Sequence, residues 1–563
     1  MCHTILVTEP WDHTGGRLDH DDRRGWTADG GRDYILPARS ARWLFSATGL
    51  TRTSTPPVPE SALVVGESAL PDMARKALES IVGPEHVHID RSARLGRAGG
   101  LSYTDLLRQR GTGELAVPDA VVAPADPEQV QRVVEVSAEY GIGLVPFGGG
   151  TSVVGGVAAL RAGLESVVVL DLYRLDQLVS VDPVSRLAVL QAGMVAPAAE
   201  RALAAHGLTL GHVPQSFERA TIGGFAATRS AGQASAGYGR FEDMVQGVRV
   251  ATPRGEWHLG VAPASAAGPD LRQLVVGSEG AFGVITEVTV RVRARPAARR
   301  FEGFVLDGWA RGAAAVRALA QSRVLADVTR LSDPRETDVA FAMSAGWRTG
   351  AVRAYLRARG VLEPCLLVLG WEGGSSAEVA ARRRATLRVL RRSRPVALGT
   401  AAGERWLHGR FAGPRQRDTL LDAGVCVETL ETATYWSRLD ALRSAVSAAL
   451  VDSLTTPTHR PVVACHISHA YETGASLYFT VIVPRDAADP FGQWQRAKDA
   501  ACAAISAGPD GPLGTISHHH AVGVDHAGYL RAEVGGLGVG VLAAVKRELD
   551  PPGVLNPGKL LGR

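Results

Sequence analysis

Four histidines crowd the segment ISHHHAVGVDH, at His518, His519, His520 and His526. Imidazole changes charge near neutral pH, so such a run is equipped to take up and release protons at a ligand. On extended chain, successive side chains point to opposite sides, and three adjacent histidines cannot then all face one ion. His518 and His520 with His526 also lack a carboxylate or thiolate at ligand spacing, so the sequence predicts no metal. A second chemistry is suggested by PFGGGTS, where Pro146 and Phe147 lead into Gly148, Gly149, Gly150, Thr151 and Ser152. Three adjacent glycines let backbone N–H groups approach a pyrophosphate without Cβ clashes. No Gly-Lys-Ser/Thr follows and GxGxxG is missing, which excludes a Walker loop and a Rossmann opening. Two more glycine- and hydroxyl-rich segments follow in order, QSFERATIGGFAATRSAG (215–232) and VGSEGAFGVITEVTV (276–290). Each could lie along a dinucleotide and donate backbone hydrogen bonds.

The elements that must position these segments are partly legible. Asp126 caps a helix with Pro127 in its first turn and Gln129 completing a capping box; Val130, Val133, Val134 and Ala138 form its face and Gly141 ends it. Leu144–Phe147 then delivers the chain into the glycine run as a buried strand, and further strands are expected at 167–172, 187–193 and 284–293. The segment 71–83 predicts a helix burying Met73, Ala77, Leu78 and Ile81. Residues 1 to 50 carry no sustained period and read as irregular cover, and RARPAARR (293–300) reads as a domain boundary. At 563 residues with 45% hydrophobic content, two or three packed domains are expected. A net charge of +4 gives no mandate for nucleic acid. The five cysteines are scattered without CxxC, no apolar run is long enough to span a bilayer, and the start lacks a signal-peptide pattern, so a cytoplasmic protein is expected.

Taken together, PFGGGTS, QSFERAT with TRSA, and EGAFGVI resemble the FAD domain of the vanillyl-alcohol-oxidase-like, PCMH-type flavoproteins, and the triple histidine resembles that of the alkyldihydroxyacetonephosphate synthases. The resemblance implies an α+β protein: a two-subdomain FAD-binding domain at 101–295, a mixed cap domain at 296–510, and a C-terminal segment at 511–563 whose tail returns to the FAD domain, after an N-terminal region at 1–100. It implies FAD contacts from Pro146 to Ser152, from Gln215, Ser216, Phe217, Glu218, Arg219, Ala220 and Thr221, from Thr228, Arg229, Ser230 and Ala231, and from Glu279, Gly280, Ala281, Phe282, Gly283, Val284 and Ile285. No histidine stands in the glycine loop, so the FAD is expected to be non-covalent.

The same resemblance makes Tyr478 the catalytic tyrosine, Arg417 the arginine holding substrate phosphate, and Arg330 a further arginine important to the reaction, beside His518, His519 and His520. A guanidinium suits phosphate through its planar fork; a phenol suits proton exchange provided neighbouring charge lowers its pKa. The family reaction replaces the acyl group of acyl-dihydroxyacetone phosphate by a fatty alcohol, redox-neutrally, with the flavin as covalent electron sink. The sequence departs from the family at Ala521, where glycine is usual. The rival reading is an FAD-dependent 2-hydroxy-acid dehydrogenase or oxidase, whose metal-binding GDGNxH-like pattern is replaced here by CHISHAYETGASLYF. A phosphorylated lipid-like substrate and a homodimer are expected, and the basic helix of 381–395 adds the expectation of peripheral membrane contact.

Overall fold

The computed structural model describes residues 25–26, 38–51, 54–343, 347–509 and 511–562. Most of the N-terminal stretch, with Cys2, lies outside these, but Ala38–Thr48 is a helix where irregular chain was expected. Its buried Leu44 packs with Val425, Val462 and Ile482 of a distant sheet, a tertiary contact that weak local propensity does not announce.

In the first half the helix Pro127–Tyr140 forms as its caps dictate: Asp126 Oδ1 accepts from Gln129 N at 2.7 Å, and Gly141 closes it in the left-handed conformation at φ 64°. It packs on the helix Asp72–Val82. There Met73 is 65% exposed, and Ala74 takes its expected core place with Leu78, Ile81 and Val82. Four strands form one sheet in the order Val87–His88, Ala120–Val122, Val167–Asp171, Gly143–Phe147, the last three parallel. A second, antiparallel sheet runs Leu178–Asp182, Leu187–Gln191, Val284–Arg291, Val245–Thr252, Gly255–Leu259. One apolar core joins both sheets and the helices.

The Arg/Pro/Ala stretch carries regular structure, where irregular chain was expected. Arg293–Ala294 pairs with Leu208–Thr209, and a ten-residue strand starts at Ala298. That strand belongs to a seven-stranded antiparallel sheet ordered Val396–Gly399, Ala298–Asp307, Pro364–Gly373, Val328–Ser332, Val462–Ile467, Gly474–Pro484, Val425–Tyr435. Helices Trp309–Gln321, Ser376–Leu390, Leu439–Leu454 and Pro490–Ser506 contribute to its core. The basic face of Ser376–Leu390 is thinner than its composition suggests, because Arg382 pairs with Asp327 at 2.8 Å and Arg383 with Glu302 at 2.9 Å. Cys365, Cys426, Cys465 and Cys502 are buried free thiols.

The tail crosses back to the first half: Leu144 N donates to Val554 O and Asn556 N to Leu144 O, both at 2.8 Å, extending the parallel sheet by one bridge. Before it, Ala527–Leu549 is long and apolar enough to cross a membrane, contrary to the expectation of no such run. Valine and leucine interspersed with small residues give a mean hydropathy of 1.2, but the helical path breaks at Gly535, which sits at φ 73° and ψ 169°.

Candidate active site

Three adjacent strands of the cap sheet set one row of reactive side chains. Tyr478 lies opposite Glu431 on one neighbouring strand and opposite His466 on the other, and cross-strand partners share a face. The His466 ring therefore stacks on Tyr478, centroids 4.7 Å apart and planes 20° from parallel. Ser332 is opposite His466, so Arg330, two residues earlier, falls on the same face. Its Nη1 approaches His466 Nε2 at 2.9 Å and its Nη2 donates to Glu336 Oε1 at 2.8 Å, while Glu336 Oε1 also contacts His466 Nδ1 at 2.8 Å. Burial would raise the Glu336 carboxyl, yet the adjoining His466 and Arg330 hold it well below the usual range. Burial and the Arg330 charge push His466 down. Neither His466 nor Glu336 was singled out from sequence; their separation from Arg330 in the chain hides a contact that register creates.

Glu431, at the other end of the row, meets the triple histidine. Residues 515–518 run along the edge strand Val425–Tyr435: Thr515 N donates to Ala433 O at 3.0 Å and His518 N to Glu431 O at 3.2 Å. Beyond them the chain bends, with Ala521 at φ 69°, and does not alternate as a strand would. The expectation that adjacent histidines must diverge fails for that reason. His518 Nδ1 lies 3.4 Å from Glu431 Oε1, His519 Nδ1 pairs with Glu431 Oε2, and His469 Nδ1 is 3.5 Å from Glu431 Oε1. His519 is 6.5 Å and His520 5.7 Å from the Tyr478 ring centre, so all three histidines border the row. Burial opposes ionisation of Glu431, but His519 and His518 hold it as a carboxylate. Burial pushes His518 down to about 3 and lowers His520 strongly.

The lowered phenol expected for Tyr478 is not found. Burial pushes it up to about 12, against the pull of a hydrogen bond with Thr429. At neutral pH Tyr478 is thus a proton donor.

The first half reaches this row through the loops expected to hold the cofactor. Glu279, at φ 54°, accepts from Val522 N at 3.0 Å and Gly523 N at 2.9 Å, just past the histidines. Arg240 Nη2 donates to His518 O at 2.8 Å. The three glycine-rich segments meet at backbone distance: a Cβ on Gly149 would lie 1.9 Å from Arg219 O, one on Gly148 2.2 Å from Thr221 Oγ1, and one on Gly280 2.7 Å from Pro146 Cγ. Several side chains of these segments are spent on the fold. Phe217 and Phe282 are buried in cores, Glu218 pairs with Arg415 at 2.9 Å, Ser230 bonds His212 Nε2 at 3.0 Å, and Arg229 Nε donates to Val276 O at 2.9 Å. What these turns leave for a ligand is main chain, with the buried Ser278 hydroxyl an unpaired donor beside Glu279. A donor set of that kind fits a dinucleotide.

Arg417 sits on the helix Ala412–Asp422, its Nη1 donating to Leu101 O at 2.8 Å and its buried Nε unpaired. No hydrogen bond joins it to Tyr478 or the histidines among the described residues. His526 is likewise apart, its Nδ1 2.8 Å from Ala521 O.

This arrangement has counterparts. Residues 118–259 match the FAD binding domain family and residues 295–560 the FAD linked oxidases, C-terminal domain. Alkyldihydroxyacetonephosphate synthase of Dictyostelium discoideum is 30% identical over 500 residues, covering 87% of this chain and 81% of that protein. The chain belongs to the alkyldihydroxyacetonephosphate synthase family. A solved synthase structure superimposes with a TM-score of 0.79 at 28% identity, covering 92% of each chain. The glycolate oxidase subunit GlcD of Bacillus subtilis is 25% identical over 80% of this chain and 90% of its own. Membership makes the protein an FAD enzyme with the α+β, PCMH-type architecture.

Proposed function

We propose that the enzyme exchanges the acyl group of an acyl-dihydroxyacetone phosphate for a fatty alcohol, without net redox change, using FAD held non-covalently. The observation that carries this reading is the row Glu431–Tyr478–His466 with His519 and His520 alongside: a neutral phenol bordered by imidazoles and backed by Arg330. Bound FAD supplies an electron sink for the substrate carbon. In the exchange the ester-linked carboxylate departs, the alcohol oxygen takes its place, and the alcohol proton is accounted for by the released acid. Tyr478 donates to the departing oxygen, and the imidazoles beside it accept from the entering alcohol. Arg330 anchors His466 against Tyr478. Arg417, whose buried Nε has no hydrogen-bond partner among the described residues, offers a guanidinium edge to the substrate phosphate.

Similarity to the glycolate oxidase subunit favours a second reading, oxidation of a 2-hydroxy acid. Anaerobic incubation with palmitoyl-dihydroxyacetone phosphate and hexadecanol separates the two. Ether lipid and free palmitate, seen by mass spectrometry with the flavin spectrum still oxidised after turnover, support the exchange. Flavin bleached by a 2-hydroxy acid, with no ether formed, replaces it by the oxidation.

A further inference from the structure

Glu431, His469, His518 and His519 come from two strand regions and the C-terminal loop, yet one ligand atom from each lies within 4.8 Å of all the others. Exposure is low: 2% for Glu431, 3% for His469 and 5% for His518. The separations within the group are informative. His518 Nδ1 to His519 Nδ1 is 3.4 Å, His518 Nδ1 to Glu431 Oε1 is 3.4 Å, and His469 Nδ1 to Glu431 Oε1 is 3.5 Å. With metal–ligand bonds of about 2.0–2.1 Å, a tetrahedral site has ligand–ligand edges of roughly 3.4 Å. These three distances are long for hydrogen bonds but match such edges, whereas His519 Nδ1 and Glu431 Oε2 are in direct contact and must part to admit an ion.

The outer contacts fix the rings for the same purpose. His469 Nε2 is 2.9 Å from Gly232 O, an acceptor only, so Nε2 carries the proton and Nδ1 turns its lone pair inward, where the Ser468 and Ser476 hydroxyls lie 3.0 and 3.3 Å away. His518 Nε2 is 2.6 Å from the Tyr471 hydroxyl, which can accept from it and leave that Nδ1 lone pair turned inward too. Ser468 Oγ donates to Glu431 Oε1 at 2.9 Å, and the buried Glu431 Oε2 meets His519 Nδ1. Imidazole lone pairs turned toward a buried carboxylate repel it unless a proton or a metal cation lies between them. Imidazoles whose other N–H is held by a carbonyl or hydroxyl are the usual surroundings of a metal ligand.

We infer that this nest takes up one divalent transition-metal ion, with zinc the best fit to a three-nitrogen, one-carboxylate set. Three neutral imidazoles and one carboxylate leave a bound M²⁺ with a single net positive charge, a far smaller burden in a buried site than the free ion. Coordination uses Nδ1 of His519 and leaves its Nε2, and His520, beside Tyr478. The ion's charge would there counter the burial that disfavours a phenolate. Two of the four ligands, Glu431 and His469, lie outside the histidine segment, where no single stretch of sequence brings the set together.

The inference stands apart from the acyl-exchange reading, because its test measures metal and not turnover. FAD-loaded full-length protein is stripped with a chelator, then titrated with zinc chloride and desalted, and retained metal is quantified; cobalt(II) chloride serves in parallel as a spectroscopic probe. About one zinc per chain and the visible bands of four-coordinate cobalt are expected, with Glu431→Gln and His469→Gln each weakening retention at least about tenfold. His520→Gln, outside the nest, retains the metal. Flavin absorbance checks that each variant is folded, and if Glu431→Gln loses its flavin, His469→Gln decides. Retention below about a tenth of an equivalent, or unchanged retention in His469→Gln, overturns the inference.

Discussion

Tyr478 is held as a neutral phenol because burial outweighs every neighbour that would ionise it. Tyr478→Phe keeps the ring stacked on His466 and removes only the hydroxyl, so ether formation should fall by roughly 10²–10⁴-fold with flavin content and melting temperature unchanged. Full turnover in that variant would remove the tyrosine from the chemistry. Arg330→Lys tests the residue behind it. A lysine carries the same charge on a single nitrogen and cannot span His466 and Glu336 as the two guanidinium nitrogens do, so one of the two contacts is lost. Turnover should drop at least about tenfold while FAD stays bound; an unaffected rate would make Arg330 a purely structural residue. At this scale the sequence showed residue types better than partnerships. Tyr478, Arg330 and the triple histidine stand where their chemistry can meet, but Glu431, His466 and His469 were silent. Their meaning depends on cross-strand register and on a loop lying along a sheet edge, neither of which leaves a local pattern.

Elements were legible where a local rule governs them. The helix Pro127–Tyr140 has its cap, its proline and its closing glycine in sequence, and all three act as their chemistry dictates. The helix Asp72–Val82 was found with Leu78 and Ile81 on the buried face, but with Met73 in the place of Ala74, since both are apolar and only packing chooses between them. Helix Ala38–Thr48 was missed because a remote sheet stabilises it. The glycine-rich loops are the converse case, where composition revealed a backbone requirement in advance. Gly149 touches the Arg219 carbonyl, so any Cβ must force the first and second segments apart. Gly149→Ala should therefore yield folded protein that loses FAD on gel filtration, read as a lower ratio of absorbance near 450 nm to protein, about tenfold or more below the parent. A variant that keeps its flavin would show that the two loops can separate without opening the cradle.

Over the whole molecule, the two halves are tied through buried titratable groups, and acid is where that should be felt. Burial pushes His212 in the first half and His526 in the C-terminal loop down to about 3, far below the ordinary 6.5. A depressed imidazole means that the unfolded chain binds a proton the folded chain refuses. Stability is therefore intact above about pH 6.5 and is lost progressively toward pH 3, at about 1.4 kcal/mol per pH unit for each group. Glu279, raised to about 7 by burial, acts in the opposite sense: the folded chain keeps its proton while an unfolded carboxyl would lose it, so acidification from 7 to 4.5 recovers part of the loss. Below 4.5 that offset is exhausted, and the acid limb should steepen. His526→Gln isolates one contribution, because its amide can still donate to the Ala521 carbonyl while no longer titrating. Melting temperatures of the FAD-loaded protein between pH 7 and pH 3.5 should fall less steeply in the variant than in the parent, with the curves converging at neutral pH apart from a small constant offset. Parallel curves throughout would mean that His526 is already protonated in the folded enzyme, and that its burial against the tail is less complete than its surroundings require.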